Sequence, residues 1–385
     1  MFWCRPKVLL LAALAVACAS AETVRNPAKR AGAGPLFQII RHGKWGFMDR
    51  TGRVVIAPAF DDERDFFHGL AAVRLPEKWG FIDETGKLTI PARFDEVRDF
   101  LEDLTPVRIG RKWGYIDTSG RMVIEPRFQS AGEFHEGLAR IYLWSKVACT
   151  SEKFTSDDAP LYAFHLLEDD KSDLPECFPQ DGRFGYIDKG GKVVIAPQFF
   201  LAQDFADGLA AVRLEQTADS KYGYIDRTGH MAIAPRFHQA GQFSEGLAAV
   251  ETSARVVGNQ LVEIAWGFID HAGVLKIPDK YTFAASFSEG LARVAIKLGG
   301  SIGYIDRTGK MIIPPKFTEA FDFSDGLAAA CVDECVYIDH SGFAVLKDLD
   351  ARWPFSDGLA AIGIRHPQVY VDKKGRVIAP YASDK

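Results

Sequence analysis

Nine aspartates recur at one phase of this 385-residue sequence: Asp49, Asp83, Asp117, Asp188, Asp226, Asp270, Asp306, Asp339 and Asp372. A row of carboxylates at regular spacing could hold a cation or exchange protons with a substrate. Each of them, however, stands three residues before a glycine, as in Asp83-Glu84-Thr85-Gly86. An Asp that bonds its own backbone, closed by a Gly in a left-handed conformation, is a turn signature, and the nine are read as turn residues. The nine histidines fall at different phases of the sequence and lack the paired helical spacing of a zinc hydrolase. There is no GxSxG elbow. Gly185 to Lys192 and Gly303 to Lys310 share only glycines and a lysine with a phosphate loop. No catalytic, metal-binding or cofactor-binding residue can be nominated, and no cofactor is implied.

Four cysteines lie beyond the N-terminal region: Cys149, Cys177, Cys331 and Cys335. An even number in an exported chain points to disulfides. Cys331 and Cys335 flank Val332-Asp333-Glu334, which would place them across a hairpin, while Cys149 and Cys177 bracket one insertion. A zinc site would want paired CxxC spacing, which is missing. That insertion, residues 142–182, holds nine acids and three lysines, a net of −6 against −5 for the whole chain. With Trp144, Asp157, Asp158, Tyr162, Phe164, Glu168, Asp169 and Asp170 it is the candidate partner-binding segment. Calcium binding and a merely solvated, stapled excursion are the competing readings; no EF-hand spacing supports the first.

The N-terminus reads as a processing segment. Arg5 and Lys7 precede an apolar stretch from Val8 to Ala17, and Ala19-Ser20-Ala21 offers a cleavage site, giving a signal peptide over 1–21 and a linker over 22–36. Leu14-Ala15-Val16-Ala17-Cys18 also resembles a bacterial lipobox, in which Cys18 would be lipidated. Ala15 stands where that motif usually has Leu, so free secretion to the periplasm or exterior is expected, with a membrane-anchored lipoprotein as the alternative. No later stretch is apolar over the roughly 20 residues a membrane helix needs. With 47% hydrophobic and 25% charged residues the chain can build a core, and a net charge of −5 argues against a nucleic-acid partner.

The elements that hold these residues are repeats. KWGFMDRTGRVVIAPAF begins at Lys44, KWGFIDETGKLTIPARF at Lys78 and KWGYIDTSGRMVIEPRF at Lys112, each 34 residues after the last. The unit returns from Arg183, Lys221, Ala265 and Ser301, and two degraded copies from Cys335 and Gln368 have lost the Gly. A block such as EGLAAV or DGLAAVR lies between copies. Repeats thus occupy 37–141 and 183–385, nine in all, on either side of the insertion.

Each unit translates into three short strands. Trp79 to Asp83 and Leu88 to Ile90 form a hairpin around the Asp-to-Gly turn, the following Pro ends the second strand, and Gly-Leu-Ala opens a third after a crossover of about ten residues. Neighbouring units must stack to bury their apolar faces, with Trp45, Trp79, Trp113, Phe184, Tyr222, Trp266 and Ile302 as one equivalent core series. The expected fold is all-β, a tandem array of about nine three-stranded β-meanders in an open or incompletely closed stack. A β-propeller is the alternative, since propeller blades usually have four strands and a longer period.

These WGFID, TG, VIxPxF and FSEGLAAV elements resemble the WG (KWG) repeat family over nearly everything from Lys44 to Pro380. The resemblance implies an interaction module without assigned biochemistry. The expected function is a non-catalytic scaffold of the cell envelope or exterior that binds a protein, peptide or glycan. The alternative is an envelope hydrolase with its site at the insertion or on the array axis.

Overall fold

A computed structural model describes residues 34–143, 182–217, 219–257, 260–347, 349, 351–362 and 369–380. Those residues contain no helix; their strands form nine small antiparallel sheets in a ring, a nine-bladed β-propeller. Blade 2 shows how one repeat is used. Its strands are Asp62–Phe67, Leu70–Leu75, Lys78–Asp83 and Leu88–Phe94, each paired with the next. Asp83 Oδ1 accepts from the Thr85 amide at 2.9 Å, and Gly86, at φ 85°, donates to the Asp83 carbonyl at 2.9 Å. All nine aspartates hold their turn in this way.

The all-β class and the alternative of a β-propeller hold; three features differ from the expected open stack of three-stranded units. The first is strand number: seven blades have four strands, because the expected crossover contains a strand of its own. It is joined to the Gly-Leu-Ala strand by a two-residue turn. In blade 7 this is Glu289-Gly290, at φ 52° and 82°, closed by Ser288 and Leu291 bonding each other at 2.9 and 3.1 Å. Two successive positive φ values make a type I′ turn, whose twist suits a hairpin.

The second is the proline, which does not end its strand. Phe81 pairs with Ile90 but Trp79 pairs with Phe94, so the fourth strand has two surplus residues there. The surplus bulges across Gly80, where an added Cβ would lie 2.7 Å from both the Ile90 carbonyl oxygen and the Ala92 nitrogen. Proline is tolerated because this strand is an edge and its burial pattern is the most open of the four. The bulge also delivers the chain to the next blade, whose first strand, Glu96–Val97, follows after Asp95 alone. Where Val336 and Val369 replace the Gly, the fourth strands shrink to Ala344–Leu346 and Val377–Ile378. Loss of the Gly and loss of the bulge go together.

The third is closure, since the ring is complete. Adjacent blades are joined by an aromatic pair, such as Phe81–Phe100 and Tyr115–Phe134 at 5.0 Å and Tyr224–Phe243 at 5.1 Å. Where the first partner is Tyr, its hydroxyl donates to a carbonyl of the next blade: Tyr115 to Gly132 at 2.8 Å, Tyr186 to Gln203 at 2.7 Å and Tyr304 to Phe321 at 2.8 Å. Tyr370 of blade 9 donates in the same manner to Gln38 of blade 1, at 2.8 Å. Phe37, Ile39 and Met48 form one core cluster with Leu359 and Tyr370, and Arg41 donates to the Pro380 carbonyl at 2.5 Å. The ends meet face to face: blade 1 uses Leu36–Arg41, Lys44–Asp49 and Val54–Phe60, blade 9 uses Leu359–Ile362, Val369–Asp372 and Val377–Ile378, and neither borrows a described strand from the other.

Blade 1 makes this possible with one substitution. Phe37 pairs with Met48 as Ala71 pairs with Ile82, and the equivalent residue is Ala139, Ala210, Ala248, Ala292, Ala328 or Ala360 elsewhere. Blade 1 has no first strand among the described residues, hence no counterpart of Phe66. The Phe37 ring stacks edge-on against Tyr370 at 5.4 Å, as Phe66 does against Phe47 at 4.8 Å. In the expected core series Trp79, Trp113, Phe184 and Tyr222 are buried, and Trp45, Trp266 and Ile302 are half-buried. The residue two places on, Phe47, Phe81, Tyr115, Tyr186, Tyr224, Phe268 or Tyr304, is more completely buried.

Candidate functional site

In an antiparallel meander successive turns alternate between the two ends of the strands, so each blade sends its first and third turns to one face of the ring and its second to the other. The two faces are used differently.

On the first face the charged residues hold the ring together. In blades 3 to 8 the acid of the type I′ turn accepts from the glycine amide of the next such turn, for example Glu102 from Gly137 at 2.9 Å, Asp207 from Gly246 at 2.9 Å, Glu289 from Gly326 at 3.0 Å and Asp325 from Gly358 at 2.6 Å. A basic residue following the repeat Asp of the next blade covers the same acid. Lys189 is 3.5 Å from Glu102, His340 is 3.5 Å from Glu289 and Lys373 is 2.9 Å from Asp325. His271 Nε2 lies 2.8 Å from the Asp207 carbonyl, Arg227 and Arg307 lie over Gly137 and Gly246, and Arg50 donates to the Asp357 carbonyl across the ring joint. The repeat aspartates have structural partners too. Hydroxyl donors, Thr85 to Asp83 and Ser119 to Asp117, hold those carboxyls below their usual range. Among the described residues no group of three or more His, Cys, Asp or Glu is placed to hold a metal ion.

The other face carries the differences between blades. The second turn is His42-Gly43 in blade 1, but in blade 4 it is the whole stretch between Leu143 and Arg183. Blade 6 extends its strands to Ala248–Val257 and Gln260–Ile269, and blade 8 ties Cys331 to Cys335 across the turn by a disulfide. Exposed apolar side chains occur here, Ile109 in blade 3, Leu214 in blade 5, Ile296 and Leu298 in blade 7 and Val332 in blade 8, as they do on the fourth strands and at the third turns, where Phe343 is the most exposed. This face is the candidate interaction surface. The residues nominated from the sequence, Trp144, Asp157, Asp158, Tyr162, Phe164, Glu168, Asp169, Asp170, Cys149 and Cys177, lie outside the described residues, as does Cys18. The strands flanking the insertion, Leu138–Leu143 and Arg183–Asp188, pair in full register, so it springs from an intact blade.

Sequence reasoning missed a titratable cluster on this face. Blades 1 and 2 carry ion pairs from Lys44 to Asp61 and Lys78 to Asp95. At the equivalent place the Lys221 ammonium lies 2.8 Å from His238 Nδ1, and the acid has moved to Glu251, where other blades have Arg74, Arg108 and Arg213. Glu251 is buried, and burial, only partly offset by Lys221, pushes its carboxyl up to about 7. Between the ordinary carboxylate range and about 7 the folded chain therefore holds a proton that the unfolded chain has released, and stability falls as pH rises through that window. Glu251→Gln is expected to raise stability above pH 7 by about 1 to 3 kcal/mol and to leave it unchanged near pH 4. Thermal melts of both proteins across pH 4 to 8 check this, and parallel curves would refute it.

Among solved structures, a eukaryotic initiation factor aligns over 84% of this chain and 88% of its own with a TM-score of 0.51 at 11% identity. Dipeptidyl peptidase 4 of Porphyromonas gingivalis aligns over 81% and 58% with a TM-score of 0.41 at 10% identity, and Hsv2p of Kluyveromyces lactis over 71% and 88% with a TM-score of 0.36 at 13% identity. At 11% identity the first of these is a likeness of fold alone. No curated protein matches the sequence. The profile described as "WG containing repeat" matches residues 45–79, 79–113, 113–143, 184–216, 222–253, 266–297 and 302–334, more than half of the chain. The seven matched copies are those that keep the Gly under the bulge, and the chain belongs to the WG containing repeat family.

Proposed function

We propose that this protein is a non-catalytic binding scaffold of the cell envelope or exterior, capturing a protein, peptide or glycan on the face that carries the second turns. The observation behind this reading is the division of labour between the faces. Charge on one face is committed to blade-to-blade contacts, whereas turn length and the acidic insertion vary on the other. Variable loops on a rigid frame are where binding residues collect. The envelope location rests on the leader-like N-terminus and on the even cysteine number, and the absence of any nominated nucleophile and base pair favours binding over hydrolysis. Deleting residues 145–181 and joining the ends by a short turn is expected to preserve the β-sheet circular dichroism and to abolish partner capture in a pull-down from envelope extract. Capture that survives the deletion would move the site to the rest of the surface.

A further inference from the structure

Leu298 stands at the tip of a turn. The second turn of blade 7 runs from Ile296 to Gly300, where the Gly300 N–H donates to the Lys297 carbonyl at 2.8 Å and Gly299 has φ 65°. Turn tips favour Gly, Asn, Asp, Ser or Pro for conformational reasons, and the same turn is His42-Gly43 in blade 1 and Gly110-Arg111 in blade 3. Leu298 is 57% exposed and Ile296 50%. On the next blade the corresponding turn opens with Val332, 51% exposed, inside the loop that the Cys331–Cys335 disulfide closes. Three aliphatic side chains, each at least half exposed, thus stand on neighbouring turns of one face. Contiguous exposed apolar groups of this kind mark contact surfaces.

The charges beside them are sorted by blade. Blade 7 adds Lys297, and blade 8 adds Asp333 and Glu334; all three are exposed, and among the described residues none of them is in an ion pair. That arrangement is self-complementary. A twofold axis running radially between blades 7 and 8 sets blade 7 of one copy against blade 8 of the other, so that each Lys297 meets the two acids of the other copy with the aliphatic side chains between them. An unrelated partner would have to carry the same order of charges in reverse, whereas a second copy of this chain carries it already. The disulfide fixes the Val332 turn before contact, which lowers the ordering cost of association.

We propose that the turns 296–300 and 332–334 form a symmetric contact between two copies of this chain, face to face, with Ile296, Leu298 and Val332 at its centre and Lys297 paired to Asp333 and Glu334 at both ends. Two turns per copy lie at the small end of specific interfaces, so the dimer is weak, with a dissociation constant of about 10 to 100 µM. The contact lies on blades 7 and 8 and the insertion on blade 4, so it does not rest on the capture reading above.

Sedimentation velocity of the full chain from about 1 to 300 µM tests it, and the parent is expected to pass from monomer to dimer over that range. Lys297→Glu, and separately Asp333→Lys with Glu334→Lys, should each weaken self-association at least about tenfold, because like charges then face each other at both ends. Mixing those two variants should restore dimers to within about threefold of the parent's affinity, since every charge then faces its opposite, and the triple variant should associate with itself for the same reason. Leu298→Ser should weaken the dimer whatever the charges are. Thermal melts check that these exposed substitutions leave the fold intact. A parent that stays monomeric to about 300 µM, charge variants that associate as the parent does, or a mixture that stays monomeric would each overturn the proposal. Docking of an unrelated protein on these turns would give the first result, and association through the apolar N-terminal stretch the second.

Discussion

Gly80→Ala is expected to destabilise the protein by about 3 to 5 kcal/mol, an unusually large effect for one methyl group. The added carbon would sit 2.7 Å from two backbone atoms of the fourth strand, Ile90 O and Ala92 N, and 2.9 Å from Ala92 Cα. Backbone cannot swing aside as a side chain can, so the bulge, and with it the passage to blade 3, has to move. Gly69→Ala is the control. Gly69 has φ 77°, but nothing lies within 4 Å of its added carbon, so only the left-handed conformation is penalised, at about 1 to 2 kcal/mol. Urea denaturation of the two variants separates the causes. Equal losses would mean that Gly80 is retained for backbone freedom and not for the crossing chain.

Phe37→Ala is expected to cost about 3 to 5 kcal/mol as a buried aromatic truncation and to loosen the joint between blades 9 and 1. A repeat consensus gives the opposite advice, because alanine is the residue at this position in seven of the other eight blades. Those blades can keep alanine because a Phe shortly before the first turn, from Phe66 to Phe355, fills the space; blade 1 has no such residue among those described and fills it from Phe37. Chemical denaturation gives the loss, and small-angle scattering reports whether the ring widens. A variant as stable and as compact as the parent would show that the joint does not depend on this ring.

The sequence determined what each repeat could do alone. Asp-to-Gly spacing fixed the turn because its bonds close within five residues, as from Asp83 to Lys87, and the alternation around Trp79 and Phe81 fixed the central strands. The same locality made the aspartates legible as structure and not chemistry. Two more signals were present and passed over. The Asp-Gly or Glu-Gly pair before Leu-Ala is a type I′ hairpin signal, and it marked the missing strand. The residue after the repeat Asp is basic, Lys189, Arg227, His271, Arg307, His340 or Lys373, wherever the preceding repeat opens its first turn with an acid, and it is Glu84 or Thr118 where it does not. Arg50 in the first repeat meets the corresponding turn of the last one, donating to the Asp357 carbonyl.

What only the tertiary structure decided is the ring. Each blade turns slightly relative to the last, and closure depends on that small rotation accumulated nine times, a quantity no local pattern encodes. Contacts such as Tyr370 to Gln38, 332 residues apart, exist only once the circle is complete. The tilt of each step follows from how closely a bulged strand can lie on a glycine and how two aromatic rings meet between blades, so period and composition alone favoured an open stack and left the propeller as the alternative. The buried carboxyl of Glu63 belongs to that level too, since Glu63 is an ordinary surface-type residue until the ring sets its strand between two blades.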